Sequence, residues 1–394
     1  MILNKYRETD KSIFHEDIED NIFKINQKVS SSKFLILGGA GTIGQAFVKE
    51  VFKRNPKKIH IVDISENNLA ELVRDLRSSY GYISGDFKTY TLDIGSVEYD
   101  KFFQRDGEYD YILNFTALKH VRSEKDPFTL MRMIDVNILN TIKTINQIKF
   151  KGVNKYFSVS TDKATSPINL MGASKRIMEL FLFKQNNKVS TSSARFANVA
   201  FSDGSLLHSF KKRIEKKQPI VAPIKIKRYF ITSKESAELC LLSCLFANSN
   251  ETFFPKQNNN LKPILLTEIA VDFLNDSGFD HFVFDTEEKA RRNIDKLIPK
   301  KIWPCFFSFP NTTGEKEIEK FFNDDDVLDL KRFKTIGVIK NDFTDIRKLD
   351  FFYKKINVIK KKDNWSKGDV INLFKEILSD FNHIDKGKNL DDKM

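Results

Sequence analysis

Phe34-Leu35-Ile36-Leu37-Gly38-Gly39-Ala40-Gly41-Thr42-Ile43-Gly44 decides the fold. Four apolar residues in a row, without polar alternation, describe a strand buried on both faces, as in a parallel sheet. The run then breaks into glycine, with Gly38, Gly41 and Gly44 spaced by three. Strand, glycine turn and helix start in that order make an anion cradle. Missing side chains let the backbone approach a pyrophosphate, and the helix N-terminus, with Thr42 and Ile43 in its first turn, offers N–H groups and partial positive charge.

Working outward, Ile59-His60-Ile61-Val62-Asp63 reads as a second strand, and Leu69, Leu72, Val73 and Leu76 line one face of the helix after it. Ser65 is placed to cap that helix. Asp63 ends its strand 19 residues beyond Gly44. A carboxylate there accepts from both adenosine ribose hydroxyls and repels a 2′-phosphate, and Ile64 and Ser65 bring no Arg to offset that. The pattern favours NAD over NADP. Further strands are expected at 89–92, 111–115 and 156–159, with helices between them. Strand alternating with helix implies right-handed βαβ units. The expected class is therefore α/β, a Rossmann-type doubly wound parallel sheet with a smaller C-terminal α/β substrate lobe.

The chain has 394 residues, enough for one large domain and a lobe. Residues 1–32 read as a helical leader, with Ile18, Ile22, Phe23 and Ile25 on one face packing on the main domain. The cofactor domain is expected over 33–250, with its reactive segment at 158–180. The substrate lobe spans 251–345 and borrows parts of 200–232. A Lys-rich tail, 346–394, carries one amphipathic helix through Val370, Leu373, Phe374, Ile377 and Leu378. Gln257-Asn258-Asn259-Asn260 marks a loop.

No apolar run approaches the ~18–20 residues of a membrane span, and the polar start is unlike a signal peptide. The three cysteines suggest neither disulfides nor a metal site. Cys240 and Cys244 lie one helical turn apart on an apolar face and read as core, in keeping with a reducing cytoplasm. The net charge of +12 raises nucleic acid as a partner. Lysine is scattered, however, and no recognition helix or basic aromatic strip is present, so no nucleic-acid partner is expected. A basic surface would also attract an anionic sugar nucleotide.

The chemistry sits in Ser160-Thr161-Asp162-Lys163-Ala164-Thr165-Ser166-Pro167-Ile168-Asn169-Leu170-Met171-Gly172-Ala173-Ser174-Lys175-Arg176. This stretch resembles the active site of the extended short-chain dehydrogenases/reductases, where Tyr-x-x-x-Lys is usual. Here Met171 holds the Tyr position, i and i+4 from Lys175 on one helix face. A thioether cannot shuttle a proton. The combination resembles one branch, the bacterial polysaccharide-biosynthesis 4,6-dehydratases acting on UDP-N-acetylglucosamine, in a Met-x-x-x-Lys variant. The likeness runs from about residue 33 to 335 and is weaker beyond 250.

The resemblance implies a lyase that oxidises carbon-4, eliminates water across carbons 5 and 6, and returns hydride to carbon-6, with NAD tightly bound. It implies a UDP-sugar substrate and a homo-oligomer, and leaves UDP-N-acetylglucosamine and UDP-N-acetylgalactosamine undistinguished. The elimination needs an acid for the carbon-6 hydroxyl and a base for carbon-5, each worth about 10²–10⁴-fold. By resemblance Asp162 is that acid and Lys163 that base, with desolvation favouring their uncharged forms. Thr161 bonds the carbon-4 oxygen, and Lys175 binds the nicotinamide ribose. Asp162, or Lys175 through water, takes the carbon-4 proton.

The same resemblance sets Asp93 and Ile94 against adenine. Asn114-Phe115-Thr116-Ala117-Leu118-Lys119-His120-Val121 resembles the family's Ala-Ala-Ala-x-Lys-His-Val, with Ala117 beside the nicotinamide and Lys119 and His120 toward the sugar. His120 is read as a packed or orienting imidazole rather than a base, and Asn137 as structural. Arg195-Phe196-Ala197-Asn198-Val199 with Ser202-Asp203-Gly204-Ser205 gives Asn198 and Ser205 as substrate contacts. Arg228, in Arg228-Tyr229-Phe230-Ile231-Thr232, is expected near the diphosphate. Thr313-Gly314-Glu315-Lys316 echoes the family's Pro-Gly-Glu-Lys without its Pro. Two rivals remain: a 4-epimerase on the same sugar nucleotide, which keeps the Tyr, and a non-catalytic NAD-binding sensor or scaffold.

Overall fold

The computed structural model describes residues 2–149, 151–184, 189–309, 314–342 and 345–383. Thr313 and the tail beyond 383 lie outside the described residues. Strand β1 (Lys33–Leu37) sends alternate side chains to opposite faces of a sheet. Phe34 and Ile36 enter one apolar layer, and Leu35 and Leu37 the other. Both faces are covered, which is why the run reads as continuously apolar.

Helix α1 (His15–Ser30) precedes β1. After β1 come α2 (Thr42–Phe52), β2 (Lys58–Asp63), α3 (Glu66–Tyr80), β3 (Asp86–Thr91), α4 (Val97–Asp106) and β4 (Tyr111–Asn114). Then follow α5 (Pro127–Ile134), a π-helical stretch Asp135–Leu139, α6 (Asn140–Ile148), β5 (Lys155–Thr161), α7 (Leu170–Leu182) and β6 (Ser190–Phe196). The six strands pair in parallel in the order β3-β2-β1-β4-β5-β6. This is the doubly wound order, and the direction in which strands are added reverses between β1 and β4, which opens a crevice at their C-terminal ends. Ser65 does cap α3, its side chain accepting from Asn68 N.

Beyond β6 the sheet continues. Strand Glu251–Pro255 pairs parallel to β6, and Ile336–Lys340 and Val327–Asp329 add antiparallel to it in turn. The segment 251–345 thus contributes its two ends to the main sheet. The smaller lobe is a parallel three-stranded sheet of Ile220–Pro223, Ile302–Ser308 and Asp280–Phe284. It shares a core with helices Leu206–Glu215 and Leu266–Asp276, including Phe210, Ile269 and Trp303.

The N-terminal segment spans both bodies. Ile2 and Leu3 are buried in the lobe core, whereas Ile18 and Ile25 of α1 join the main core. Phe23 departs from the expected apolar face: it is 77% exposed. Ile18, Ile22 and Ile25 already complete the buried stripe, and Phe23 follows Ile22 by one residue, on the helix's other side. Arg7 forms a buried pair with Glu235, at 2.6 and 3.0 Å. The C-terminal helices Ile346–Lys360 and Lys367–Ile377 pack into the layer that also holds α7. Cys240 and Cys244 are fully buried in helix Ser233–Phe246. Among the described residues no helix is long and apolar enough to cross a membrane.

Candidate active site

β5 ends at Thr161 and hands the chain to a short 3-10 turn, Asp162–Ala164. The Thr161 hydroxyl organises that turn, donating to Asp162 Oδ1 at 2.9 Å and accepting from Lys163 N at 3.4 Å. Asp162 is buried and Lys163 half-buried. Lys163 Nζ donates to Asp162 Oδ1 at 3.0 Å and to Asn198 Oδ1 at 3.3 Å. Asn198 comes from a two-residue strand just past β6, paired with Phe230–Ile231. The sheet therefore brings Thr161, Asp162, Lys163 and Asn198 together.

α7 stands directly against this turn. A Cβ on Gly172 would lie 2.2 Å from the carbonyl oxygen of Lys163, so only glycine allows the approach. Asn169 caps the helix by accepting from Gly172 N at 2.7 Å, and its amide donates to Gly314 O at 2.9 Å. Met171 is buried among apolar neighbours. Lys175 Nζ donates to the carbonyl of Val159 at 2.9 Å. Burial pushes the Lys175 ammonium down to about 8, with Glu179 opposing that shift.

Two buried carboxylates that sequence reasoning passed over fix α7. Glu124 accepts from Met171 N at 2.9 Å. Glu179 accepts from Ser160 Oγ at 2.6 Å and from Arg195 at 2.8 and 2.7 Å. Burial opposes the Glu179 charge, but Arg195 dominates and holds the carboxyl at about 2. Arg195 Nη1 also donates to Thr165 Oγ1 at 3.2 Å and to Phe321 O at 3.0 Å. A signal for Glu179 existed, since it lies i+4 from Lys175. Glu124 had none, because its partner comes from 47 residues away.

A third carboxylate, Glu319, is buried beside Arg228 and Lys316, with Arg228 Nη2 4.0 Å from Oε1 and Lys316 Nζ 3.7 Å from Oε2. Arg228 faces this segment, its Nη1 donating to the carbonyls of Lys227, Lys316 and Glu317. Lys316 Nζ donates to Thr165 O at 2.8 Å.

At the glycine turn, Gly41 caps α2 without a side-chain hydrogen bond, which leaves first-turn N–H groups of Thr42 and Ile43 without a side-chain acceptor. Asp63 accepts from Ala40 N and Ser65 N, both at 2.9 Å, which holds its carboxylate beside that turn. Gly44, the third residue of α2, packs on that turn, where a Cβ would lie 2.3 Å from Gly38 O. Thr42 Oγ1 donates to Asp203 at 3.1 Å, and Lys119 Nζ to Ser202 Oγ at 3.4 Å. His120 packs so closely on Gly204 that a Cβ there would lie 2.6 Å from its Cε1, and the Gly204 φ of +69 also suits glycine. Burial foremost, then Lys119 and Arg122, lowers the His120 pKa, so the ring is neutral near pH 7. Ser205 caps helix Leu206–Glu215. Three loops thus close over the crevice.

Ala117 is half-buried on the loop after β4, and the next residue, Leu118, is bonded through both N and O to Asn137. Asn137 also donates to Ser174 of α7 at 2.9 Å, consistent with a structural role. Asp93 sits apart from the Asp162 group. It pairs with Arg132 at 2.7 Å and accepts from Gly95 N at 2.8 Å, with Ile94 buried beside it. Among the described residues no cluster of His, Cys, Asp and Glu could hold a metal ion.

A protein of Methanocaldococcus jannaschii described as an uncharacterized membrane protein is 32% identical over 330 residues, 78% of this chain and 94% of that one. The capsular polysaccharide biosynthesis protein CapD of Staphylococcus aureus is 29% identical over 276 residues, 69% of this chain and 45% of CapD. The chain thus spans less than half of that relative. A UDP-N-acetylglucosamine 4,6-dehydratase (inverting) of Campylobacter jejuni is 28% identical over 235 residues, 58% of this chain and 67% of that one. Among solved structures, Pen from Bacillus thuringiensis superposes with a TM-score of 0.65 at 23% identity, over 79% of this chain and 88% of that one. The dTDP-glucose 4,6-dehydratase DesIV of Streptomyces venezuelae, solved with NAD and TYD, gives 0.55 at 16% identity, over 71% and 88%. Both share the extended short-chain dehydrogenase/reductase fold. With residues 34–299 matching its model, the chain belongs to the family described as polysaccharide biosynthesis protein.

Proposed function

We propose that the protein is an NAD-dependent nucleotide-sugar 4,6-dehydratase acting on UDP-N-acetylglucosamine. The observation that carries this reading is the Asp162–Lys163 pair, 3.0 Å apart on one turn at the end of β5 and next to α7. A simple reductase or epimerase needs no such acid–base pair beside Lys175. The dehydratase named among the relatives supports the same reading.

The residues present fit NAD. The uncapped N-terminus of α2 suits the pyrophosphate, Asp63 suits the ribose hydroxyls, and the Asp93–Ile94 edge suits adenine. Bound there, NAD⁺ supplies the hydride acceptor for carbon-4 and the hydride for carbon-6. Lys175 carries its positive charge beside the ribose, and Thr161 bonds the carbon-4 oxygen. The ketone acidifies the carbon-5 proton, and Lys163, as the base, removes it. Asp162 delivers its proton to the carbon-6 hydroxyl, which leaves as water. Asn198 accepts from Lys163 Nζ and so orients its lone pair. Lys163 then returns its proton to carbon-5. Lys119 on the loop after β4, Ser205 at the start of helix Leu206–Glu215, and Arg228 beside Glu319 would face the nucleotide and sugar.

Mass spectrometry after incubation with UDP-N-acetylglucosamine and no reductant tests this. A product lighter by one water, without net NADH, is expected. Lys163→Ala and Asp162→Asn should abolish that product while NAD still co-purifies. An isomer of unchanged mass would mean an epimerase instead, and full activity in either variant would remove the mechanism.

A further inference from the structure

Glu319 is 4% exposed, and its Oε2 is buried without a hydrogen-bond partner. Lys316 at 3.7 Å gives that oxygen an ion pair but no hydrogen bond, so its lost hydration is only partly offset. Its neighbours are charged groups packed against the reaction turn, Lys316 Nζ also donating to Thr165 O at 2.8 Å. Lys316 stands 3.7 Å from Oε2 and Arg228 4.0 Å from Oε1, while Asp162 and Lys163 are near enough to act on it electrostatically.

We propose that Glu319 is a second proton-holding carboxyl of this site, working as a pair with Asp162. The inference rests on the dehydratase reading. That reaction moves one proton from the carbon-4 hydroxyl to the departing carbon-6 oxygen, and Met171 offers no group to carry it. At rest the Asp162–Glu319 pair holds one proton. When carbon-4 gives its hydride to the bound nicotinamide, the pair takes up the hydroxyl proton and holds two. Elimination breaks the carbon-6–oxygen bond, with one proton passing from Asp162 to the leaving oxygen. The proton on Glu319 then resets Asp162, and the pair again holds one. Lys163 takes and returns the carbon-5 proton separately, so every proton is accounted for.

Burial raises the affinity of Glu319 for a proton, and Asp162 raises it further, against Lys163, Arg228 and Lys316. A carboxyl so placed holds a proton more readily than an ordinary exposed Glu does. Arg228 and Lys316 act as positioning residues, since they hold the carboxyl without neutralising it through a direct hydrogen bond to Oε2.

The test compares Glu319→Gln and Glu319→Asp with the wild-type protein, each with co-purified NAD. Turnover of UDP-N-acetylglucosamine is followed as loss of water across pH. Glu319→Gln should lower kcat about 10²-fold with KM changed less than about threefold. Its alkaline limb should move to lower pH, because the neighbouring charge that keeps the proton on Asp162 is gone. Glu319→Asp, which keeps the carboxyl, should recover much of kcat. Wild-type kcat and an unmoved limb in Glu319→Gln would overturn the proposal while leaving the dehydratase reading intact. So would equal losses in both variants accompanied by lost NAD and a lower melting temperature, the mark of a purely structural carboxylate. No loss of water by the wild-type protein would overturn both.

Discussion

The backbone N–H of Met171 donates to Oε1 of Glu124 at 2.9 Å, so a buried carboxylate from the loop after β4 caps the first turn of α7. Met171, at the position where the resemblance would place a Tyr, is held by this backbone contact. The second oxygen of Glu124 lies 3.5 Å from Nε2 of His383, at the end of the described chain. The helix that carries Lys175 is thus pinned from both sides of the fold.

Glu124→Ala should therefore destabilise the protein by about 1–3 kcal/mol, the usual cost of leaving a buried donor unpaired. Glu124→Gln keeps an acceptor but loses the charge that favours a helix N-terminus, and should cost about 1 kcal/mol or less. Chemical unfolding of both variants checks the order. Equal losses would mean that the Met171 contact contributes little.

Met171 itself should tolerate replacement. It is 4% exposed in an apolar cluster and offers no proton, so Met171→Leu conserves volume and should cost less than about 1.5 kcal/mol. Turnover should stay within about threefold of wild type. A loss of 10²-fold or more, with the fold intact, would assign the thioether a role in the chemistry that its geometry does not suggest.

The Glu179–Arg195 pair joins α7 to β6, and both side chains are fully buried. Glu179→Gln should cost about 3–5 kcal/mol by stranding the guanidinium, and Glu179→Gln with Arg195→Met should recover part of it. The pH dependence has a definite sign. The Glu179 carboxyl is held at about 2 against an ordinary 4.5, so its contribution is full above 4.5 and is lost as pH falls from there toward 2. Acid unfolding of Glu179→Gln should lack that component. Superimposable acid limbs would show that the pair is not coupled to stability.

Much of this was legible locally, and the reasons differ by element. β1 and its glycine turn announce themselves because burial on both faces and pyrophosphate geometry each constrain adjacent residues. Asp162, Lys163 and Lys175 fall within one short stretch, so spacing alone puts them together. The end of the main sheet was not legible in that way. Glu251–Pro255 and Ile336–Lys340 pair in register Pro255↔Ile336, partners 81 positions apart in sequence, and no local pattern encodes such a partner. Glu319 was hidden for the same reason. It sits three residues past Lys316, and only folding places it beside Arg228 and the Asp162 turn. Phe23 misled because it adjoins an apolar stripe that Ile22 and Ile25 already fill.

Lys175 gives the last prediction. Its ammonium is fully buried and donates to Val159 O, and desolvation lowers its pKa from 10.5 to about 8. Below pH 8 both folded and unfolded chains hold the proton, and folding bears the full penalty of burying the charge. Between 8 and 10.5 the native protein has released the proton while the unfolded chain still binds it. Stability of the NAD-free protein should therefore rise with pH across that window, by at most about 1.4 kcal/mol per unit from this one group. Other lysines, Lys119, Lys155 and Lys316, are lowered as well, so the informative quantity is the difference from Lys175→Met. The wild-type curve should climb more steeply than that variant's between pH 8 and 10.5. Parallel curves would mean that Lys175 keeps its proton in the folded protein, and that its charge at neutral pH is secured by more than the Val159 carbonyl.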